Sequence, residues 1–443
     1  MKEEFLHFIW KNRLFNHNDL KTINGIGVEV IDPGSYNTDS GPDFFNARIK
    51  IGSTEWAGNI EIHLNSSSWN CHGHYKDHTY DNVILHVVKE FDREVFTTEG
   101  RPLETAVLKW EDHVYVNYEG FLHNPNILAC RDYLKNIDSY LIIHAIHNIA
   151  VERIKRKCND IRPMLSDTLN DWEETLYRLI ARYFGMNVNS EPFLRLATIL
   201  PLKILRKHLD NRTQVEALLF GQAGFLDTLL FKEALNDEYF RILAREYRVL
   251  KAKYRLVSLD GWLWKYHRMR PANFPTIRIS QLASLLVSSD PIFEKIKNSE
   301  GIGSLKKLLS ADTSEYWKNH YIFGKVTKSW SGATGNIITG MLIINTVIPL
   351  LFLYGIMHNQ YRYCDKAVDL ADSLEPEDNK ILRKWYEAGI LPASAFESQG
   401  LIELYTMLCK NRRCLNCLIG SKLISLGKEI KPGNNPHLGE PVN

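Results

Sequence analysis

The spacing of apolar residues changes along this chain, and that change limits the possible fold more than any other feature of the sequence. Before about residue 120, short apolar runs are bounded by Gly, Ser, Asn or Asp, as in "GVEVID", "FFNARIKI", "GNIEIHL" and "NVILHVV". Such runs are typical of β-strands. After about residue 138, long segments such as "DSYLIIHAIHNIAVERIKRKCND" repeat their apolar residues with the period of a helix. The sequence therefore predicts a sheet followed by many helices.

A chain of 443 residues, 44% of them hydrophobic, is long enough to form more than one packed core. We predict an α+β or α/β protein whose residues 1–120 form a mixed sheet with a flanking helix at "EEFLHFIWKNRLF". Residues 121–137 are a connector, and residues 138–425 form a large all-α domain. Residues 426–443 are rich in Pro and Gly and are predicted to be a tail.

Charge is unevenly distributed along the chain. The formal net charge is only +2, which excludes a generally basic nucleic-acid-coating protein and requires any nucleic-acid surface to be local. Residues 1–110 hold 11 Lys and Arg against 16 Asp and Glu, together with seven of the 16 histidines. Because carboxylates and imidazoles are metal ligands, this part of the chain is the first place to look for a metal site.

The expected compartment is the cytoplasm. The opening "MKEEFLHFIW" has charges where a signal peptide needs an apolar core, and seven cysteines do not indicate a disulfide framework. Residues 337–357, "IITGMLIINTVIPLLFLYGIM", are apolar over about the length of a membrane crossing, but Asn345 and Pro349 interrupt them. A buried core helix is the favoured interpretation, with a membrane helix as the alternative, so no membrane partner is expected.

Reactive side chains occur at the ends of two adjacent predicted strands. In "GNIEIHLN", alternation places Glu61 and His63 on one face of the strand and the isoleucines on the other. Asp43 begins the preceding strand, and a hairpin through residues 52–58 brings the two strands together. Strict alternation places Asp43 on the apolar face, so a shared site requires a bend near Gly41 and Pro42.

This order of elements, with Pro42-Asp43 followed by Glu61-Ile62-His63, resembles the core of the PD-(D/E)xK phosphodiesterase superfamily. The resemblance implies that Asp43, Glu61 and the carbonyl of Ile62 bind Mg²⁺ or Mn²⁺, with His63 in the position of the superfamily's Lys. It also implies a metal-dependent nuclease that hydrolyses phosphodiester bonds of DNA or RNA. Such sites are often completed by an acid on the first helix.

Glu4 is the best-placed candidate for that acid, with Glu29 behind it. The superfamily's Lys is a stable cation, whereas His63 titrates near neutrality. His63 can accept a proton from water, bind metal, or mark a fold that has lost catalysis. The main alternative is therefore a non-catalytic nucleic-acid-binding or scaffold protein on a degenerate nuclease fold.

A second metal motif follows directly. "HGHYKDH" resembles the H-x-H-x-D-H ligand run of metallo-β-lactamase-type hydrolases, with one extra residue before Asp77. The resemblance implies a zinc hydrolase that uses His72, His74 and Asp77. In the nuclease interpretation the same loop lines the cleft or supplies a further ligand. His86, within "NVILHVV", is interpreted as a hydrogen-bonded core histidine.

The whole chain also resembles an uncharacterised bacterial family of unknown function. The resemblance is carried by "GPDFFNARI", "GNIEIHLNSSSWNCHGHYKD", "YDNVILHVV" and the terminal "CLNCLIG". The resemblance implies that the chain has relatives in this family, but it does not indicate a reaction.

Three cysteines lie close together near the end of the chain, in "LCKNRRCLNCLIG". Cys409, Cys414 and Cys417 can share one soft metal, either Zn²⁺ or a [4Fe-4S] cluster, if a fourth ligand is present. Cys364 is the first candidate for that ligand, and Cys130 or a histidine is the alternative. The arrangement loosely resembles nucleases of the RecB and Cas4 type, which hold a cluster with one upstream and three downstream cysteines.

The most basic stretch is residues 241–278, with ten Lys and Arg, two acidic residues and interleaved aromatics. On a helix, Arg245, Arg248 and Arg255 form a ridge with Arg241. Such a ridge can follow a phosphate backbone while the aromatics stack on unpaired bases. These arginines are the candidate nucleic-acid contacts, and a solvated helix face with core aromatics is the alternative.

Overall fold

The computed structural model describes residues 1–227 and 232–429 of the chain, in two compact units. The first unit contains residues 1–145, residues 387–389 and the C-terminal segment that begins at Leu404. The second contains residues 146–386 and 390–403. The predicted succession of a mixed sheet and a large helical region is confirmed. The C-terminal cysteines, however, belong to the unit that contains the sheet.

The first unit is built from six strands and four helices among its described residues. Its helices are α1 (Glu3–Lys11), α2 (Ser68–Cys71), α3 (Asp112–Leu122) and, near the C-terminus, α18 (Leu418–Ile424). Its strands are β1 (Val28–Asp32), β2 (Ser35–Tyr36), β3 (Phe44–Ile51), β4 (Thr54–Asn65), β5 (Val83–Glu90) and β6 (Thr105–Val107). All four strand segments expected from the sequence are therefore present.

The sheet has the order β1-β3-β4-β5-β6, with β2 also paired to β3. Strands β3 and β4 form an antiparallel hairpin, while β5 pairs in parallel with both β4 and β6. The hairpin turn is tighter than expected from the sequence, because β3 ends at Ile51 and β4 begins at Thr54. The first four residues of β4 are exposed, which explains why they lack an apolar pattern.

Helix α1 covers part of this sheet with an apolar face. Phe5, Leu6, Ile9 and Trp10 are fully buried, and α1 packs against β4. The central strand is consequently buried along its C-terminal half, so that even Glu61 is only 5% exposed and His63 only 2% exposed. Ionisable side chains are rarely buried in this way without partners, which directs attention to the residues around them.

The second unit is predominantly helical. Its helices are α4 (Ser139–Asp167, whose first turns belong to the first unit), α5 (Trp172–Phe184), α6 (Met186–Ile199), α7 (Leu202–Leu205), α8 (Arg212–Gln222), α9 (Glu238–Tyr254), α10 (Pro275–Ser289), α11 (Ile292–Lys297), α12 (Ile302–Leu308), α13 (Asn336–Leu342), α14 (Ile348–Met357), α15 (Arg362–Asp372), α16 (Lys380–Glu387) and α17 (Ala395–Glu403). A small hairpin of β7 (His320–Ile322) and β8 (Lys325–Val326) interrupts them.

The long apolar segment forms one continuous helical run, from α13 through a π-helical turn at Ile343–Val347 into α14. Within the described residues, Asn336–Met357 is the one helix long and apolar enough to cross a membrane. Most of its apolar window, 72%, is buried inside the protein, and Leu350, Leu351 and Leu353 have no exposed surface. This burial agrees with the interpretation of the segment as a core helix.

Candidate metal centre on the N-terminal sheet

A β-bulge decides which way Asp43 points. Phe44 pairs with Ile60, but the next register pair is Ala47 with Gly58, so β3 uses one residue more than β4 between these pairs. Asn46, inside the bulge, has a left-handed backbone with φ of 57°. The extra residue reverses the alternation, so that Phe44 shares the buried face with Ala47 and Asp43 turns to the opposite face. The bend required by the sequence therefore lies after Asp43, not before it.

Asp43 and Glu61 meet on that opposite face. The Asp43 backbone N–H donates to Glu61 Oε2 at 3.1 Å, and the Ile62 backbone N–H donates to Asp43 Oδ2 at 2.8 Å. The carboxylate of each strand thus lies against the backbone of the other. Burial, followed by the charge of Asp43, raises the pKa of Glu61, although the adjacent His74 imidazole opposes the shift. Two carboxylates held this closely favour binding of a cation.

Helix α1 contributes a histidine to the pair of acids. His7 Nε2 lies 3.3 Å from Asp43 Oδ2, and its Nδ1 lies 3.3 Å from the Tyr36 hydroxyl. Burial lowers the pKa of His7, but the adjacent Asp43 carboxylate outweighs this effect and raises the pKa above the usual value. His7 therefore occupies the place on the first helix where the sequence suggested an acid.

Three more imidazoles lie beside Glu61. His74 Nε2 is 3.2 Å from Glu61 Oε1 and His63 Nε2 is 3.5 Å from the same oxygen. His63 Nε2 is also 3.1 Å from His72 Nδ1. The ligand atoms of His63, His72 and His74 all lie within 4.8 Å of one another. We call these three residues the histidine cluster. Since His72 is exposed, one edge of the cluster is open to solvent.

The loop after β4 explains how His72 and His74 reach the strand. Trp69, on the short helix α2, is fully buried and its Nε1 donates to Phe96 O at 3.0 Å, which anchors the loop. Gly73 follows with a φ of 79°, a conformation that other residues rarely adopt. The left-handed turn reverses the chain between the two histidines. His74 is then held by the Tyr80 ring, at a centroid distance of 3.8 Å.

His86 supports this cluster from the neighbouring strand. It pairs in register with Glu61, and its Nε2 lies 2.8 Å from His63 Nδ1. Burial and the neighbouring imidazoles lower the pKa of His63 to about 2, and burial with His74 lowers that of His86 to about 3. Both rings are consequently neutral, which is the form in which imidazole binds metals.

Other residues predicted for this site lie elsewhere. Glu4 is exposed and lines a cleft of about 510 Å³ together with His7, Lys11 and Tyr36. Glu29 is exposed on β1 and pairs in register with Lys50 of β3. Asp77 is an exposed turn residue whose carboxylate accepts from the Thr79 backbone at 2.9 Å. The structure thus joins the motif of Asp43 and Glu61 to the two histidines of the second motif, without Asp77.

The predicted cysteine set is brought together with a different fourth member. Cys409, Cys414 and Cys417 line a small cavity in the first unit, and the fourth cysteine there is Cys130. Cys364 belongs to the second unit, where its Sγ lies 3.5 Å from Phe352 O. Of the candidates that the sequence offered for the fourth ligand, Cys130 lies in the same unit as the three C-terminal cysteines and Cys364 does not.

The basic ridge lies on α9. Arg245 and Arg248 are exposed, and Arg255 caps the helix with a φ of 53°. Of the six interleaved aromatics, Tyr247 and Trp264 are buried, three are half-buried, and Trp262 is 80% exposed. The arginines are therefore accessible, whereas among the aromatics Trp262 is the most available for stacking.

Sequence reasoning missed His7, whereas His86 is a buried, hydrogen-bonded histidine, as the sequence predicted. The available signal for His7 was the unusual number of histidines in the first 110 residues. His7 also lies on the helix face next to Glu3, whose Oε1 accepts from the Leu64 backbone of β4 at 3.4 Å. Periodicity alone does not reveal which face of a helix meets which strand.

The fold and the site define an α+β protein with carboxylate and imidazole side chains gathered on the central strand of a mixed sheet. The chain belongs to the family described as "Protein of unknown function (DUF2851)", whose family model matches residues 3–380. The cysteines from Cys409 onward lie outside the matched range. No curated protein and no solved structure matches the chain.

Proposed function

We propose that this protein is a metal-dependent hydrolase of phosphodiester bonds, with its reaction centre at Asp43 and Glu61. The observation that carries the proposal is the position of Glu61, whose Oε2 faces Asp43 while its Oε1 faces His74 and His63. The resemblance to the PD-(D/E)xK superfamily adds the expectation of a phosphodiester substrate. A single carboxylate between two sets of ligands is suited to binding cations on both sides.

Two kinds of cation fit these two sides. Asp43, Glu61 and the carbonyl of Ile62 offer hard oxygen ligands, which suit Mg²⁺ or Mn²⁺. His63, His72 and His74 offer imidazole nitrogens, which suit Zn²⁺ or Fe²⁺ and bind Mg²⁺ poorly. We therefore expect Mn²⁺ to serve better than Mg²⁺, because it accepts both ligand types. Glu61 would then be the residue shared by both sets of ligands, as a single carboxylate often is in two-metal hydrolases.

The protein groups have separate tasks in this proposal. A bound divalent ion neutralises phosphate charge and lowers the pKa of a water molecule at the site. His7 keeps the Asp43 carboxylate oriented through its 3.3 Å contact. His63 is neutral and buried, so it replaces the superfamily's Lys as a ligand rather than as a cation. His86 fixes the orientation of the His63 ring through its 2.8 Å contact with Nδ1, a kind of contact that commonly orients metal-binding histidines.

Nucleic acid is the proposed substrate. Support comes from the exposed arginines of α9, which are suited to phosphate contacts that do not depend on base sequence. Lys11 lines the cleft beside His7 and offers a further cation near the reaction centre. An Arg245→Ala and Arg248→Ala double variant is expected to weaken binding of single- and double-stranded nucleic acid, most strongly at low salt.

The proposal is tested by incubating the purified protein with linear DNA, single-stranded DNA and RNA in the presence of Mg²⁺, Mn²⁺ or Zn²⁺. We expect cleavage of at least one substrate, with Mn²⁺ more effective than Mg²⁺. Glu61→Gln is expected to reduce the rate at least about 100-fold, the scale of losing one group that stabilises transition-state charge. Its melting temperature is expected to stay the same or rise, since burial already disfavours the charged Glu61.

Glu55→Gln is the matched control, because Glu55 lies on the same strand but is exposed and pairs with Arg48. Asp77→Asn separates the two metal hypotheses: retention of activity supports the site around Glu61, and loss supports the zinc motif with Asp77. Calorimetric titration with Mn²⁺ supplies a readout independent of turnover. Metal binding and nucleic-acid binding without cleavage under any condition would favour the non-catalytic alternative.

A further inference from the structure

Four cysteines from two distant parts of the sequence converge on one cavity of the first unit. Cys130 follows α3, while Cys409, Cys414 and Cys417 lie in the segment before α18. All four line the same small cavity, together with apolar residues such as Ile127 and Leu408. Two segments that are far apart in the sequence therefore place four thiols around one space.

Local backbone features hold these thiols in place. The guanidinium of Arg412 donates to the carbonyls of Asn124 and Asn126, which ties the C-terminal turn to the segment that carries Cys130. Backbone N–H groups of Gly420 and Ile419 donate to the Cys417 sulfur. Gly420 also packs so closely that a Cβ there would lie 2.5 Å from Cys414 O. The thiols are therefore in a built environment and not at random surface positions.

The chemical state of the cysteines leaves them available as ligands. All four are free thiols, although they share one cavity. Among the described residues, His63, His72 and His74 are the one group of three or more potential ligands whose ligand atoms all lie within 4.8 Å of one another. No three of the four cysteine sulfurs are therefore that close together. Sulfurs around one tetrahedral Zn²⁺ lie about 3.8 Å apart, because the Zn–S distance is about 2.3 Å. The wider spread suits a cluster of several metal ions better than a single ion.

We propose that Cys130, Cys409, Cys414 and Cys417 form a four-thiolate metal site that holds an iron–sulfur cluster. Four cysteine ligands match the requirement of a [4Fe-4S] cluster. Its four thiols are different groups from those of the proposed reaction centre, although Cys417 also lines the cleft that contains His7. Its role is structural: it links the segment after α3 to the turn before α18 within the first unit.

The test is anaerobic purification of the full chain from cells supplied with iron, followed by iron, sulfide and zinc analysis and a visible absorbance spectrum. We expect iron and sulfide in equal amounts and the broad visible absorbance of a cluster. Cys130→Ser is expected to lower the iron content at least about tenfold and to lower the melting temperature. Loss of even a group that only hydrogen-bonds to a metal ligand costs about 10- to 100-fold in metal affinity.

Cys364→Ser and Cys158→Ser are the matched controls, since both residues are buried cysteines of the second unit. Both variants are expected to keep the iron content of the parent protein. Retention of iron by Cys130→Ser with loss in Cys364→Ser would overturn the assignment of the fourth ligand. Zinc in place of iron, or no metal in the parent protein, would overturn the cluster. None of these outcomes alters the nuclease test, which uses Glu61→Gln.

Discussion

At the scale of single residues, the protein buries ionisable groups in two different ways. His63 and His86 avoid charge by remaining neutral, and their nitrogens approach other imidazoles. Lys157, in the second unit, is instead surrounded by oxygen acceptors: its Nζ lies 2.9 Å from both Asn345 Oδ1 and Gln399 Oε1. The first arrangement leaves neutral imidazole nitrogens close together, whereas the second surrounds an amine with oxygen acceptors.

The buried amine of Lys157 predicts a pH dependence of stability. Burial, aided by the charge of Arg153, lowers its pKa from 10.5 to about 7. The unfolded chain therefore binds more protons than the folded chain between these two values, and folding stability rises with pH in this window. Below about pH 7 the full destabilising effect of Lys157 is present. A Lys157→Met variant has no such group to titrate.

We expect the free energy of unfolding of the parent protein, relative to Lys157→Met, to increase by about 1 kcal/mol per pH unit above neutrality. Urea unfolding of both proteins from pH 6 to pH 9.5 measures the difference. Lys155→Met is the control, because Lys155 lies on the same helix and is exposed. A constant difference between parent and Lys157→Met across this range would contradict the prediction.

At the scale of secondary-structure elements, the β3–β4 hairpin determines whether a site exists. The sequence showed that Glu61 and His63 share one face of β4, and the strands lie where the sequence predicts them. The bulge at Asn46 could not be predicted from the sequence, because a single extra residue leaves the apolar pattern on either side of it intact. This one residue turns Asp43 from the buried face to the face of Glu61.

Deletion of Asn46 tests this dependence. Without the extra residue, alternation returns Asp43 to the apolar face. We expect Mn²⁺ affinity to fall at least about tenfold, which is the smallest loss seen when a group that orients a metal ligand is removed. Calorimetric titration measures the affinity, and circular dichroism reports whether the sheet is retained. Asn46→Gly is the control, since Gly accepts the φ of 57° and preserves the bulge.

Asn46→Val should keep the bulge but cost about 1–3 kcal/mol, because a β-branched residue is strained in the left-handed region. Unchanged Mn²⁺ affinity in the deletion variant, with the sheet intact, would show that the bulge does not determine the position of Asp43.

At the scale of the whole molecule, the chain returns to its first unit at the C-terminus. The domain boundaries predicted from sequence assign everything from residue 138 to residue 425 to one helical domain. Within the first unit, however, α18 packs against α3, and Asn117 Nδ2 donates to Lys428 O at 3.2 Å. The C-terminal segment from Leu404 therefore completes the fold that carries the sheet.

A fragment of residues 1–145 is accordingly expected to be unstable, because α3 loses the partner that covers its buried face. A second fragment in which residues 1–145 are joined by a flexible linker to residues 404–429 is expected to fold. Thermal unfolding followed by circular dichroism compares the two fragments. Equal melting temperatures would contradict the assignment of the C-terminal segment to the first unit.

The sequence alone determined the class of each segment, because hydrophobic periodicity is a local property: strands first, helices afterwards, and a core helix at residues 337–357. It also singled out Asp43, Glu61, His63, His72 and His74 as candidate site residues. Only the tertiary structure decided that the two candidate metal motifs lie side by side, that His7 joins them, and that Cys130, not Cys364, lines one cavity with the three C-terminal cysteines. These outcomes depend on one bulge, one left-handed turn and one long-range return of the chain, and none of them leaves a periodic pattern in the sequence.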